Sequence, residues 1–142
     1  MPPLARRYLR TAIAFAILGV MTGMHMSSAL HLKAGEMHRY YLSAHAHVML
    51  VGFSLMVAMS VALWKLPEAP AGSRYRPSLM RLAYWLTSVG TLLRYLSESW
   101  IGYQTPEPES VHRFIYAAGM VQGTGILIFL VNLLPRIRGP RD

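Results

Sequence analysis

The chain has 142 residues, of which 54% are apolar and only 14% are charged, and its mean hydropathy is positive at +0.32. Because a water-soluble domain carries about 25% charged residues, this composition argues against a soluble protein. The sequence has a net charge of +8 and no Cys, so disulfides, thiolate metal sites and thioether-linked haem are excluded.

Four apolar stretches are each long enough to cross a bilayer, which takes about 20 helical residues. We therefore predict an all-α integral membrane protein with a single domain, residues 1–142, built as a bundle of four transmembrane helices. A soluble bundle of buried helices is the weaker alternative, because only short polar links remain and no amphipathic helix is left to cover the apolar ones. The predicted spans are residues 8–30, 44–66, 79–101 and 111–134.

The first span has features of a signal peptide, with three arginines before the apolar run and the small residues Ser27, Ser28 and Ala29 near its end. Its apolar run is longer than the ~7–15 residues of a signal-peptide core. We therefore expect a retained membrane helix.

The basic residues are concentrated at the two termini and in the second loop, and the first and third loops are nearly neutral. By the positive-inside rule, both termini and the second loop are predicted to be cytoplasmic. The pI of about 10.3 then reflects the membrane orientation of the chain, and we expect no nucleic-acid binding. The residues counted are Arg6, Arg7, Arg10, Lys65, Arg74, Arg76, Arg81, Arg136, Arg138 and Arg141 on the inner side, and Lys33, Arg39, Arg113, Glu36, Glu107 and Glu109 on the outer side. Five aromatic residues fall near predicted interfaces, as in aromatic belts: Tyr8, Trp64, Tyr75, Trp100 and Tyr103.

All six histidines fall on the predicted outer side of the membrane. His25 lies inside the first span, His45 and His47 open the second, and His112 opens the fourth. Ionisable groups within spans are costly and mark functional sites by default. The two remaining histidines, His31 and His38, are loop residues and are more simply explained as interfacial side chains.

Arg94 and Glu98 lie four residues apart in the third span, so they share a helix face at about the depth of His25. A structural salt bridge is one interpretation of this pair. The other is that Arg94 binds an anionic group such as a haem propionate, with Glu98 as its counter-charge or as a proton carrier.

Neutral imidazole is an axial ligand of haem iron and also a ligand of copper and zinc. On one helix His45 and His47 point roughly 200° apart, so they cannot bind one metal from one face, but they can serve two centres. Three Met residues near His25, namely Met21, Met24 and Met26, would suit a soft metal, although Met in an apolar helix usually serves packing.

The second span contains Ala44-His45-Ala46-His47-Val48-Met49-Leu50-Val51-Gly52, followed by Phe53-Ser54-Leu55-Met56-Val57. This segment resembles the core subunit of the haem–copper oxidase superfamily, especially bacterial nitric oxide reductases and their oxidase relatives. In that family a His-x-His pair near the outer end of a helix binds two haems on opposite faces. The resemblance implies that His45 faces the active-site haem and His47 the electron-transfer haem. An earlier helix of the family has a single His with Gly at the same offset, so the ligand assignment stays open.

The resemblance covers about 25 of the 142 residues. The family core has about twelve spans, whereas four are predicted here, and the sequence lacks the His-His dipeptide and the His-plus-Tyr helix of the family's copper site. The likeness therefore implies haem in a His-bearing bundle, in a minimal relative that assembles its site by oligomerising.

We accordingly expect a multi-pass protein of the inner, cytoplasmic membrane that carries haem b, with or without copper, and forms a homo-oligomer. Its expected function is electron transfer with a redox partner protein or quinone, or the binding and reduction of O2 or NO. The alternatives are a copper- or zinc-binding membrane protein without haem and a structural accessory subunit of a respiratory complex. The candidate ligands are His25, His45, His47 and His112, with Arg94 and Arg113 for the propionates and Glu98 for protons.

Overall fold

The computed structural model describes residues 1–34, 38–101 and 109–137. Every regular element within these ranges is a helix, which confirms the predicted all-α class. Four helices follow one another: α1 is Pro3–Leu32, α2 is Arg39–Lys65, α3 is Pro77–Ile101 and α4 is Glu109–Ile137. Each contains its predicted span to within one residue. Some charges and one aromatic residue used in the topology prediction lie outside the described residues: Glu36, Glu107, Arg138, Arg141 and Tyr103.

Three of these helices, α1, α2 and α4, are long and apolar enough to cross a membrane. Many of their large apolar side chains point away from the bundle; Ile17, Leu127 and Val131, for example, are each more than half exposed. Such extensive apolar surface suits lipid rather than water. The chain is therefore a candidate multi-pass membrane protein. Helix α3 is of sufficient length but carries Arg81, Arg94 and Glu98, and it does not belong to the apolar set.

Helices α1 and α2 lie antiparallel, and close contacts bind them along their length. Near the start of α1 the Ser60 hydroxyl donates to the Ala5 carbonyl at 2.8 Å. Midway, Gly52 lies against the ring of Phe15, where an added Cβ would come within 2.8 Å of a ring carbon. Glycine at this position therefore allows the two helices to approach closely.

Helix α3 runs parallel to α1 and antiparallel to α4. Two tyrosines of α3 reach threonines of α1: the hydroxyl groups of Tyr84 and Thr11 are 2.8 Å apart, and those of Tyr95 and Thr22 are 2.7 Å apart. On the other face, the side chain of Asn132 in α4 accepts from the backbone N–H of Arg76 and donates to its carbonyl. These bonds fix the register of α3 against both neighbours.

The core of the bundle is apolar and includes Tyr8, which is completely buried. Its ring packs edge-on against Tyr84 and Phe129, and its hydroxyl donates to the Met80 carbonyl at 3.3 Å. The prediction that Tyr8 belongs to an interfacial belt is therefore wrong. The apolar run that contains Tyr8 turns it inward, where a backbone carbonyl satisfies its hydroxyl. Trp64 and Trp100 are about half exposed or more, as belt residues would be.

Helix α2 is not uniform, because residues Val48–Leu55 form a π-helical segment between two α-helical ones. The segment begins one residue after His47 and includes Gly52. π-Helical turns are rare in proteins, and those that do occur are frequently found at functional sites. This irregularity places the two histidines on the last α-helical turn before the wider segment.

Candidate functional site

All six histidines lie at one end of the bundle, which we call the histidine end. It comprises the end of α1, the start of α2, the end of α3 and the start of α4, and the antiparallel order of the helices brings these segments together. The opposite end, which holds the start of α1, has none. The clustering inferred from sequence is thus a property of the fold.

At the histidine end, Glu98 is the most deeply buried charged side chain, with 2% of its surface exposed. Its Oε1 accepts from Nε of Arg94 at 3.0 Å and from the Ser43 hydroxyl at 2.9 Å. Arg94 in turn lies against Gly119 of α4, where a Cβ would approach its Nη1 to 3.1 Å. Helices α2, α3 and α4 therefore meet at an ion pair whose carboxylate is buried and whose guanidinium is partly exposed.

The second carboxylate oxygen of Glu98, Oε2, is buried and accepts no hydrogen bond from the described residues. The Nδ1 atom of His47 lies 3.5 Å away but is engaged with the Ser43 carbonyl at 2.8 Å. A carbonyl only accepts, so Nδ1 carries the proton, and the contact with Oε2 is secondary because of its length. Within the described residues, Oε2 therefore has only this long contact with the imidazole, whereas buried carboxylate oxygens normally accept a full hydrogen bond.

His45 faces α1 rather than α3. Its Nδ1 donates to the Gly19 carbonyl at 3.0 Å, and its ring lies over Gly23, where a Cβ would be 3.1 Å from Cε1. Gly23 leaves room for this ring, whereas a Cβ at Gly19 would meet the flexible side chain of Met49. His45 and His47 thus face different helices, in line with the angular separation predicted from their spacing.

The rings of His45 and His47 share one chemical feature. Each donates its Nδ1 proton to a backbone carbonyl, so Nε2 carries the lone pair. Within the described residues, every hydrogen bond of these two rings involves Nδ1 and none involves Nε2. Metal-ligating histidines almost always donate their other ring N–H in this way, which fixes the tautomer and the orientation of the ring.

The other candidate ligands are not part of this cluster. His25 is exposed on α1 and lies beside the buried ring of Tyr41, with centroids 5.3 Å apart. His112 is half-buried and lies 5.8 Å from the ring of Tyr40. Arg113 is largely exposed and pairs with Glu109 at 2.7 Å, outside the buried site.

The two loop histidines also lie apart from Glu98. His31 is exposed at the end of α1, and the ring of His38 stacks on Tyr40 with centroids 5.4 Å apart. Across residues 1–34, 38–101 and 109–137 no group of three or more His, Asp or Glu side chains could hold a metal ion. The four candidate ligands therefore do not converge on one ion within a chain.

Sequence reasoning missed Ser43, which joins His47 to Glu98 through its carbonyl and its hydroxyl. The available signal was its spacing of four residues from His47, matching the spacing of Arg94 and Glu98 on the facing helix. Comparisons with protein-family models, with curated proteins and with solved structures gave no match to this chain.

Proposed function

We propose that this chain is a four-span membrane haem protein in which His45 and His47 would hold b-type haem. The observation that carries the proposal is the pair of Nδ1–carbonyl hydrogen bonds. Because Nδ1 holds the proton in both rings, Nε2 has a free lone pair that can bind a metal. The absence of Cys restricts the haem to non-covalent attachment. Bound haem would supply an iron that accepts and releases one electron.

Helix α3 is part of this proposal as the fourth span. Its ionised pair, Arg94 and Glu98, is turned toward α2 and α4, and the large side chains exposed along its middle are apolar, such as Trp85, Val89 and Leu92. Charged residues in spans are tolerated when they face the bundle interior and pair with one another. With four spans, both termini lie on one side, and the arginine distribution favours the cytoplasm.

A haem fits the described donors better than zinc or copper does. Structural zinc takes four protein ligands and catalytic zinc takes three, whereas haem iron needs only one or two histidines. No group of three potential ligands occurs in the parts of the chain that the structure describes. The same count argues against a dedicated copper site within one chain.

The Glu98 cluster has a separate task in this proposal. Arg94 has guanidinium N–H groups beyond its bond to Glu98 and would bind a propionate. Glu98 would carry charge or a proton beside His47, using the oxygen that lacks a hydrogen bond. Ser43 would hold both groups in place, since it accepts from His47 and donates to Glu98.

His45 and His47 cannot bind one iron from the same chain, because they face different helices. Each bound haem would therefore be held by one histidine of this chain, either alone or together with a histidine of another copy. A homo-oligomer with two histidines per iron would transfer electrons between a redox protein or quinone and a second partner. An open position would instead bind a small gas such as O2 or NO.

The proposal is tested by substituting each histidine in protein expressed with added haem precursor. We expect His45→Ala or His47→Ala to remove or shift the Soret band. His31→Ala, at an exposed position on the same end of the bundle, is the matched control and should leave the band unchanged. Equal spectra for all three variants would contradict the assignment. Carbon monoxide added to the reduced wild type distinguishes an open position, which shifts the band, from two histidine ligands, which do not.

A further inference from the structure

A cavity of about 730 Å³ lies at the end of the bundle opposite the histidines. The start of α1, the connection between α2 and α3, the start of α3 and the end of α4 surround it. Three arginines from three different helices line it: Arg7, Arg81 and Arg136. Glu68 is its one acidic lining residue and makes no ion pair with these arginines in the described structure. The cavity therefore has a positive excess.

Arg136 is the unusual member of this group, because it is 92% buried and has no carboxylate partner among the described residues. Its Nε donates to the Pro67 carbonyl at 2.7 Å, and Nη2 donates to the carbonyls of Leu66 and Leu63 at 2.5 and 3.4 Å. Carbonyls satisfy its hydrogen bonds but do not neutralise its charge. A buried, uncompensated cation is costly, so an anion in the cavity would relieve that cost.

The backbone adds to the positive potential. Helices α1 and α3 both begin at the cavity, with Pro3 and Pro77, and neither has an acidic residue in its first turn. No side chain caps the start of α1. Free N–H groups and the helix dipole favour anions at such positions.

The remaining walls of the cavity are apolar and aromatic, and include Leu63, Trp64 and Tyr75. The Cζ atom of the Arg136 guanidinium lies over the Tyr75 ring, 5.6 Å from its centroid, so this cation is adjacent to the apolar wall. A small hydrated anion gains little from these side chains, whereas the glycerol and upper acyl chains of a lipid would cover them. Beyond the cavity, the outer faces of the helices carry exposed apolar side chains, for example Ile13 and Ile17 of α1.

We propose that this cavity binds the phosphate of an anionic phospholipid head group, with Arg7, Arg81 and Arg136 as the cationic contacts. Basic pockets between transmembrane helices on the cytoplasmic side are suited to such lipids. The proposal does not depend on haem, because the cavity and the histidines lie at opposite ends of the bundle.

The test is native mass spectrometry of the full-length protein in detergent with added dioleoyl phosphatidylglycerol or dioleoyl phosphatidylcholine. We expect phosphatidylglycerol to bind at least about tenfold more tightly. Arg7→Gln and Arg81→Gln should each weaken its binding roughly fivefold, as expected for about 1 kcal/mol per basic residue. Arg6→Gln is the matched control, since it removes the same charge one residue away but does not line the cavity. Arg136 is left unchanged because three carbonyls depend on it.

Equal binding of the two lipids would overturn the proposal, and so would equal losses in Arg6→Gln and Arg7→Gln. A competition experiment with inorganic phosphate distinguishes a lipid phosphate from a free one. If millimolar phosphate displaces phosphatidylglycerol from the wild type, the cavity binds free phosphate, and the proposal that its ligand is a phospholipid is overturned. If it does not, the apolar walls contribute to binding as proposed. A thermal unfolding curve for each variant verifies that a lost lipid is not a lost fold.

Discussion

His45 and His47, two residues apart in α2, hold their Nδ1 atoms against the backbone carbonyls of two different helices. The acceptor for His45 is Gly19 of α1 at 3.0 Å, and the acceptor for His47 is Ser43 of α2 at 2.8 Å. His47 also lies beside Glu98 of α3. One short segment therefore presents two oriented imidazoles to two sides of the bundle, which is the basis of the proposed haem ligation.

The ion pair of Arg94 and Glu98 should dominate the stability of the histidine end. Arg94→Leu leaves the buried carboxylate, within the described residues, with the Ser43 hydroxyl and the longer His47 contact, and breaking such a pair costs about 3–5 kcal/mol. Replacing both residues by Leu should cost less than Arg94→Leu alone, because no charge remains buried. Chemical unfolding in detergent micelles measures both free energies.

Arg113→Leu is the matched control for that experiment. It breaks an ion pair with Glu109 at the same spacing of four residues, but both side chains are about four-fifths exposed. The unfolding free energy should hardly change, because solvent screens exposed pairs. If Arg94→Leu were as mild as Arg113→Leu, Glu98 would not be a buried charge.

Close packing of α3 against α4 depends on two glycines. A Cβ at Gly90 would lie 2.6 Å from the backbone N of Gln122, and one at Gly125 would lie 2.6 Å from the backbone N of Thr87. Because backbone atoms cannot move aside as side chains do, Gly90→Ala and Gly125→Ala should each destabilise the protein by about 1–3 kcal/mol.

Gly123 is the control for the glycine series, since a Cβ there meets nothing within 4 Å. Gly123→Ala should leave the midpoint of thermal unfolding in detergent unchanged or slightly raised, because alanine favours the helix. Equal losses for Gly123→Ala and Gly90→Ala would indicate that helix packing is not the cause.

The sequence predicts the helices well, because composition and length are strong signals in a membrane protein. The residues of the four predicted spans coincide with helices α1 to α4, of which α1, α2 and α4 are long and apolar enough to cross a membrane. The π-helical segment at Val48–Leu55 was not predicted, since its residues are apolar on all sides and carry no periodicity that distinguishes π from α. The burial of Tyr8 was missed for a different reason, because membrane interfaces and helix-bundle cores both accommodate tyrosine.

The site is predicted less completely. Spacing along a helix shows which residues share a face of that helix, but it does not show which residues of other helices contact that face. The Arg94–Glu98 pairing follows from a spacing of four residues, whereas the link from Glu98 to Ser43 is tertiary. In the sequence, Arg136 is interpreted as one of the basic residues that determine the membrane orientation of the chain. In the fold it is a buried anchor for three carbonyls, which follows from the path of the α2–α3 connection.

Membrane topology can be measured by fusing alkaline phosphatase, which is active only outside the cytoplasm, at successive positions in a bacterial host. Fusions after Ala34 and after Ile101 should be active, and a fusion after Glu68 should be inactive. The pair at Glu68 and Ile101 brackets α3, so it tests the fourth span directly. Inactive fusions at both positions would mean that α3 does not cross the membrane.

The central claim concerns haem, and an absorption spectrum of the purified wild-type protein tests it most directly. Protein produced with ample haem precursor and purified in mild detergent would be recorded before and after dithionite, with a pyridine haemochrome assay and iron analysis on the same sample. We predict a Soret band that shifts on reduction, a b-type haemochrome and iron in proportion to protein. A folded, helical preparation that is colourless and free of iron would contradict the account.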